Sequence, residues 1–313
     1  MIIKLNFQFE FILKKNQKKN MKLKLNKSAF DLVKARISTK FRNNENDEKI
    51  QILEKGVDGK YAYARLSNGL TFYDLTMKSL ITSIFSRYHH SHYELNNKPS
   101  KYAIHQSHVD NLLNLPISEE KKNYLKSKMP IKEGDIVLEL GAFRGFGTIK
   151  LSELVGKDGL VIAVEASKEN YNFLQKNISS NNINNVKIIN KGIWSTTGKS
   201  LLHKEKDQRT SLVSDLLKNK SSHEEINIDT VDHILNELKI DKVDFITLEI
   251  NAAEVEALMG MTKTLSNKSI RLVSAGWYNY KGEPAWKRLK DILEKYDFEV
   301  FIGVQNRVFA IKE

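Results

Sequence analysis

The stretch DIVLELGAFRGFG, residues 135–147, constrains the fold of this chain more than any other. A short apolar strand runs into a turn of small residues and then into a helix, and such a turn lets the backbone approach a ligand at a helix amino terminus. From Gly134 onward the alternation repeats. Strands are expected at Ile136–Leu140, Leu160–Glu165, Val186–Asn190, Val243–Ile250, Ile270–Ala275, Glu299–Gly303 and Arg307–Ile311, and helices at about 145–155, 168–180, 230–238, 253–265 and 284–296. This is the βαβ pattern of a parallel sheet covered on both faces, a doubly wound α/β fold. The short link Val304-Gln305-Asn306 predicts that the last two strands close it as an antiparallel hairpin.

The region before the sheet has a different character. YAYARL and LTFYDL alternate around Ser67-Asn68-Gly69, a hairpin signal, and the stretches MKSLITSIFSRYHH and 107–129 read as helical with a break at Pro116. The expected organisation is a basic arm over 1–48, an accessory α+β region over 49–130 and the sheet domain over 131–313. Of the net charge of +12, most lies in the arm: residues 1–60 hold 15 Lys and Arg against 7 Asp and Glu. That distribution disfavours a nucleic-acid partner for the sheet domain and leaves, at most, peripheral contact with anionic headgroups through the arm. Met21 offers a second plausible start. The chain has no cysteine, which excludes disulfides, thiolate zinc sites and cysteine nucleophiles and suits a reducing cytoplasm. No apolar run reaches the roughly 18 residues of a membrane span.

The glycines of the turn follow the spacing G-x-x-x-G-x-G, with Phe143 where a dinucleotide fingerprint needs its second glycine. Glu139, at the strand's end, would repel a pyrophosphate and suit a cationic ligand without phosphate, such as S-adenosylmethionine. A second carboxylate, Glu165, closes the next strand 24 residues after Gly141, where this fold delivers an acid to ribose hydroxyls.

These residues resemble the FkbM-type S-adenosylmethionine-dependent methyltransferases over about residues 134–312. The matching stretches are LELGAFRG, VIAVEASKENYNFLQKN, INKGIWSTTGKSLL, INIDTVDHIL and VDFITLEINAAEVEALMG, in that order. The resemblance implies a Rossmann-like class I methyltransferase fold, S-adenosylmethionine as cofactor, and methylation of a hydroxyl on a sugar, glycan or other small metabolite. Within those stretches the expected cofactor contacts are Glu139, Gly141, Ala142, Gly145, Glu165, Ala166 and Gly192. The chain departs from the family pattern K-I-D-V-E-G-A-E, reading Thr247-Leu248-Glu249-Ile250-Asn251-Ala252-Ala253-Glu254, and Phe143 replaces the first motif's asparagine.

Methyl transfer to a hydroxyl needs alignment and a base for the hydroxyl proton. Glu249 is the candidate base, with a strand-end acid of no catalytic part as the alternative; Glu254 is the next candidate, with a competing role as a helix-terminus charge partner. Residues 194–227 read either as a hairpin around Thr197-Gly198 followed by a substrate-contacting polar loop, or as disorder. Trp277-Tyr278-Asn279-Tyr280 either walls an acceptor site or packs. His89, His90, His92, His105 and His108 lack regular ligand spacing, so no metal is expected. Two rival functions stay open: an RNA methyltransferase, drawing on the basic arm, and a cofactor-binding interaction module that has lost catalysis.

Overall fold

The computed structural model describes residues 50–84, 88, 117–205, 210–213, 220–303 and 306–313, and residues 50–313 form one compact unit. The arm over 1–48, the helical stretch over 107–116 and the five histidines from His89 to His108 lie outside the described residues. The accessory region begins with three antiparallel strands, β1 (Ile52–Asp58), β2 (Tyr61–Leu66) and β3 (Thr71–Asp74), followed by helices α1 (Met77–Ser83) and α2 (Glu119–Lys128).

The sheet domain then runs β4 (Ile136–Leu140), α3 (Phe146–Val155), β5 (Leu160–Val164), α4 (Lys168–Ser180), β6 (Val186–Ile189), β7 (Gly192–Ile193), β8 (Gly198–Glu205), β9 (Thr210–Ser211), β10 (Lys220–Asp229), α5 (Val231–Glu237), β11 (Phe245–Leu248), α6 (Glu254–Met259), α7 (Thr262–Ser266), β12 (Arg271–Ser274), β13 (Asn279–Tyr280), β14 (Glu283–Pro284), α8 (Ala285–Glu294), β15 (Glu299–Ile302) and β16 (Val308–Ile311). The seven-stranded sheet has the order β15-β16-β12-β11-β4-β5-β6, and β16 is antiparallel to both its neighbours. It is the doubly wound, Rossmann-like sheet that the alternation predicts, closed by the expected hairpin.

Each central strand is apolar on both faces because both are covered, and period-2 alternation deals its residues to two separate cores. Val137, Val161, Ala163, Phe245, Val273 and Phe309 enter one core with α3 and α4; Leu138, Leu140, Ile162, Val164, Ile246, Leu248 and Leu272 enter the other with α5 through α8. The first core also takes in Ala64, Leu66, Phe72 and Leu80 of the accessory region. Phe72 stacks on Phe146 of α3, centroids 5.1 Å apart.

Strand β3 is an edge, and an unpaired edge exposes backbone groups that need partners. Side chains of α4 supply them. Asn177 accepts from Tyr73 N–H at 2.7 Å and donates to Tyr73 C=O at 3.1 Å; Asn181 does the same for Thr71 at 2.8 Å each. Asn177 also donates to Arg144 C=O at 2.7 Å, so the accessory sheet, α4 and the glycine turn share one network.

Two expectations need correcting. The helix expected over 253–265 is two, α6 and α7, separated at Gly260 and Met261. The hairpin expected around Thr197-Gly198 does not form, because β7 and β8 are not neighbours: β10 lies between them, parallel to β7 and antiparallel to β8. Gly192 explains the choice. A Cβ there would stand 2.8 Å from Ile226 Cδ1 and 3.1 Å from Ile228 Cγ2, so its bare backbone admits both β10 isoleucines, and their burial outweighs a local turn signal. The polar stretch is thus a long hairpin of β8 and β10 with β9 on its edge.

Candidate active site

A cavity of about 690 Å³ opens at the carboxyl ends of β4, β5, β11 and β12, where ligands bind in open α/β sheets. Its near wall is the glycine turn. Gly141 has φ +97°, and a Cβ there would lie 2.2 Å from the backbone oxygen of Glu249. Glycine is required on both counts: it takes the left-handed backbone without strain and lets the turn after β4 touch the loop after β11. Gly141→Ala should cost about 2–3 kcal/mol of stability, the sum of conformational strain and a clash with backbone. Chemical denaturation reads this out, and a loss under about 1 kcal/mol would show that the turn can move aside.

Glu165, buried at the end of β5, braces two turns. Its carboxylate accepts Phe143 N–H at 2.8 Å from the glycine turn and Ser167 N–H at 2.9 Å from the start of α4. Asn190, after β6, donates to the carbonyls of Glu165 and Ala166 at 2.9 and 3.1 Å. Phe143 holds φ +52° and Ala252 φ +80°. These are two of the positions where the chain departs from the FkbM pattern, whose asparagine and glycine both suit a left-handed backbone.

Of the sequence-predicted cofactor residues, Gly141, Glu165, Ala166 and Gly192 line the cavity together with both candidate acids, Glu249 and Glu254. Glu139, Ala142 and Gly145 are not among the lining residues. Glu139 turns into the protein, its Oε2 accepting from Thr148 Oγ1 at 2.5 Å. Ala142 bonds through its backbone to Val164, and Gly145 starts α3 with Leu174 packed over it. They shape the turn from behind.

The two acids differ. Glu249, just past β11, is partly exposed and ion-paired with Arg307, which follows the β15–β16 link. Glu254 is fully buried; its Oε1 accepts Ile250 N–H at 2.8 Å, while Oε2 has no hydrogen bond of normal geometry. Burial pushes its carboxyl up to about 7, against the pull of its backbone hydrogen bonds and of the Tyr278 hydroxyl and with a push from Glu249. It stands in the first turn of α6 and takes backbone N–H bonds there, so the helix-end role and a role in the cavity fall on one buried carboxyl. The nearby Tyr278 hydroxyl accepts Val255 N–H at 3.3 Å, and burial beside Glu254 raises its proton affinity. Of the aromatic run only Trp277, 48% exposed, lines the cavity; Tyr280 donates to Glu256 at 2.8 Å.

Several builders of this site leave no distinct trace in the sequence. Arg307 carries no local motif, Asn190 sits in INKGIWSTTGKSLL with nothing to mark its bracing role, and the accessory residues Thr76, Lys78, Ser79, Thr82 and Ser83 form the far wall. Lys191 also lines the cavity, its ammonium bridging Asp229 at 2.7 Å and Glu237 at 2.9 Å. Burial would raise the Asp229 carboxyl, but bonds from Lys191, His233, Thr197 and Thr230 hold it down at about 2. Asp229, His233 and Glu237 are close enough to ligate a metal, yet the Lys191 ammonium already stands between the two carboxylates.

The model of the methyltransferase FkbM domain matches residues 139–300. No curated protein matches the chain. Among solved structures it is similar to methyltransferase FkbM from Methylobacillus flagellatus, at 15% identity and TM-score 0.43, over 60% of this chain and 46% of that one. It is also similar to Aeropyrum pernix fibrillarin in complex with S-adenosyl-L-methionine (11%, TM-score 0.41, 84% of this chain and 100% of that one). A third is an O-methyltransferase from Bacillus cereus in complex with SAH (14%, TM-score 0.36, 66% and 87%). The chain thus spans less than half the length of the Methylobacillus protein. The family model covers just over half of this chain, including the glycine turn, both strand-end acids and the loop after β11, so the chain belongs to the FkbM methyltransferase family.

Proposed function

We propose that this protein is an S-adenosylmethionine-dependent O-methyltransferase whose acceptor is a hydroxyl on a sugar, glycan or other small metabolite. The observation that carries the reading is the single cavity that unites Gly141, Glu165, Ala166 and Gly192 with Glu249 and Glu254. The donor set fits the cofactor. The glycine turn leaves space where a side chain would collide with Glu249 C=O, and the carboxyls of Glu165 and Glu254 face a ligand that is cationic and carries no phosphate. Glu165, held by two backbone amides on the cavity wall, is placed to accept from ribose hydroxyls. When bound, the cofactor supplies an electrophilic methyl group on a sulfonium.

The protein's part is alignment and proton removal. Glu249 takes the acceptor's hydroxyl proton, with Arg307 holding the carboxylate in place, and Trp277 offers a flat apolar face to a sugar ring. Of the three cations of the wall, Lys78, Lys191 and Arg307, the last two are already neutralised by carboxylates, which favours a neutral hydroxyl-bearing acceptor over a phosphate backbone. Glu165→Ala should weaken cofactor binding by about 1.5–3 kcal/mol, the range for hydrogen bonds to a charged group. Calorimetry on the folded variant tests this, and unchanged affinity would remove Glu165 from the site. Comparing the glycans and metabolites of cells with and without the gene, for species differing by one methylene, tests the acceptor class; a methylated RNA or protein as the only difference would overturn it.

A further inference from the structure

Among the described residues, Glu254 carries the only buried side-chain polar atom without a hydrogen bond of normal geometry; the Tyr278 hydroxyl interacts with the same carboxyl, and no cation does. The residue is fully buried, bonded on one oxygen to Ile250 N–H and interacting with the Tyr278 hydroxyl, and it is one of the residues that line the cavity. Leaving a buried carboxyl half satisfied is costly, most of all as the anion, so a partner that arrives later is the physical reading of such a group. Its position names that partner. Glu249 C=O lies against Gly141 and the next residue, Ile250, is clamped by Glu254, so the carboxyl stands directly behind the turn that cradles the cofactor.

The groups that face it leave its charge unbalanced. From the loop after β12 comes the Tyr278 hydroxyl, and from the loop after β11 the Glu249 carboxylate, whose own charge Arg307 takes. Glu256, a half-turn along α6, is held by Ser195 and Tyr280 at 2.8 Å each. No cation among the described residues pairs with Glu254.

We propose that Glu254 is the receptor for the positive charge of the bound cofactor, holding a proton in the empty site and giving it up to solvent when the sulfonium-bearing ligand enters. This rests on the S-adenosylmethionine reading. In the empty site burial keeps the carboxyl protonated up to about pH 7. A cation brought into the same buried space favours the carboxylate, so the O–H bond breaks and the proton passes to buffer. Linkage then makes cofactor affinity rise with pH across that range.

The test is calorimetric titration of the full chain with S-adenosylmethionine in buffers of different ionisation enthalpy, which counts protons exchanged. Release of about half a proton is expected at pH 7, rising toward one at about pH 6, since the group is half and then mostly protonated there. S-adenosylhomocysteine has a neutral thioether in place of the sulfonium and should release far less. Glu254→Gln, of the same shape, should abolish the release. A second readout needs no ligand: the carboxyl holds its proton more tightly folded than unfolded, so stability is lost as pH rises from about 4.5 to about 7, and Glu254→Gln flattens that slope. Binding of S-adenosylmethionine without proton exchange, equal release by both ligands, or unchanged release in the variant would each overturn this role while leaving the cofactor reading intact. Failure to bind S-adenosylmethionine at all would remove both.

Discussion

Asp74→Ala is expected to cost about 3–5 kcal/mol of stability, because it strands a guanidinium in the core. Arg144 is among the largest fully buried side chains, and it pairs with Asp74, itself fully buried on β3. Its Nε donates to Asn170 at 3.1 Å, and its plane lies 4.8 Å from the ring centroids of both Phe143 and Phe173. Asp74 in turn accepts from Ser79 at 2.8 Å, fixing the start of α1. The pair therefore ties the accessory strand, the far wall of the cavity and the glycine turn to one another. A melting temperature lower by roughly 6–20 °C follows from that loss for a unit of this size. The companion Asp74→Leu with Arg144→Met, which removes both charges, should recover most of it, since a buried pair replaced by apolar side chains is often neutral. Equal destabilisation in single and double variants would show that packing, rather than the stranded charge, carries the effect.

Glu249→Gln should reduce methyl transfer by about 10²–10⁴-fold with cofactor affinity intact, the loss expected when a general base keeps its shape but not its charge. Single-turnover kinetics on the true acceptor, beside calorimetry for the cofactor, separates the two quantities. Glu249→Asp installs the residue of the family pattern but shortens the reach by one methylene. A misplacement of about 1 Å can itself cost about 10²-fold, so the direction of that change reports whether Arg307 and Asn251 have reset the site around glutamate. Asn251 is engaged: it donates to Thr210 C=O at 2.8 Å and its own carbonyl accepts from Ser211 at 2.6 Å, stitching β9 to the loop after β11. Full turnover by Glu249→Gln would remove the base assignment.

The sheet was legible because its information is local. Continuous apolar runs such as those of β4 and β5, each followed by a turn and a helix of the right length, specify buried parallel strands without reference to the rest of the chain. The same holds for the glycine turn, since a left-handed backbone in contact with its neighbour admits little else than Gly141. Long-range choices left no such trace. Nothing near Thr197-Gly198 says that β10, not β8, will lie beside β7; that follows from two isoleucines packing on a glycine more than thirty positions earlier in the chain. Glu139, within β4 and expected as a cofactor contact, accepts the Thr148 hydroxyl from the first turns of α3, a pairing its own strand does not announce.

By itself the sequence determined the doubly wound fold and its family, and it brought Gly141, Glu165 and Glu249 to strand ends that must open on one side, with Glu254 at the start of the helix that follows. The tertiary structure alone decided what those residues meet. It gave Glu249 an arginine from the last hairpin, and it left Glu254 buried with no cation beside it among the described residues. It also made the accessory region a wall of the cavity through a buried ion pair between positions 74 and 144. The physical reason is that periodicity and turn chemistry act over a few residues, whereas burial and charge pairing are properties of neighbours that only the packed chain brings together.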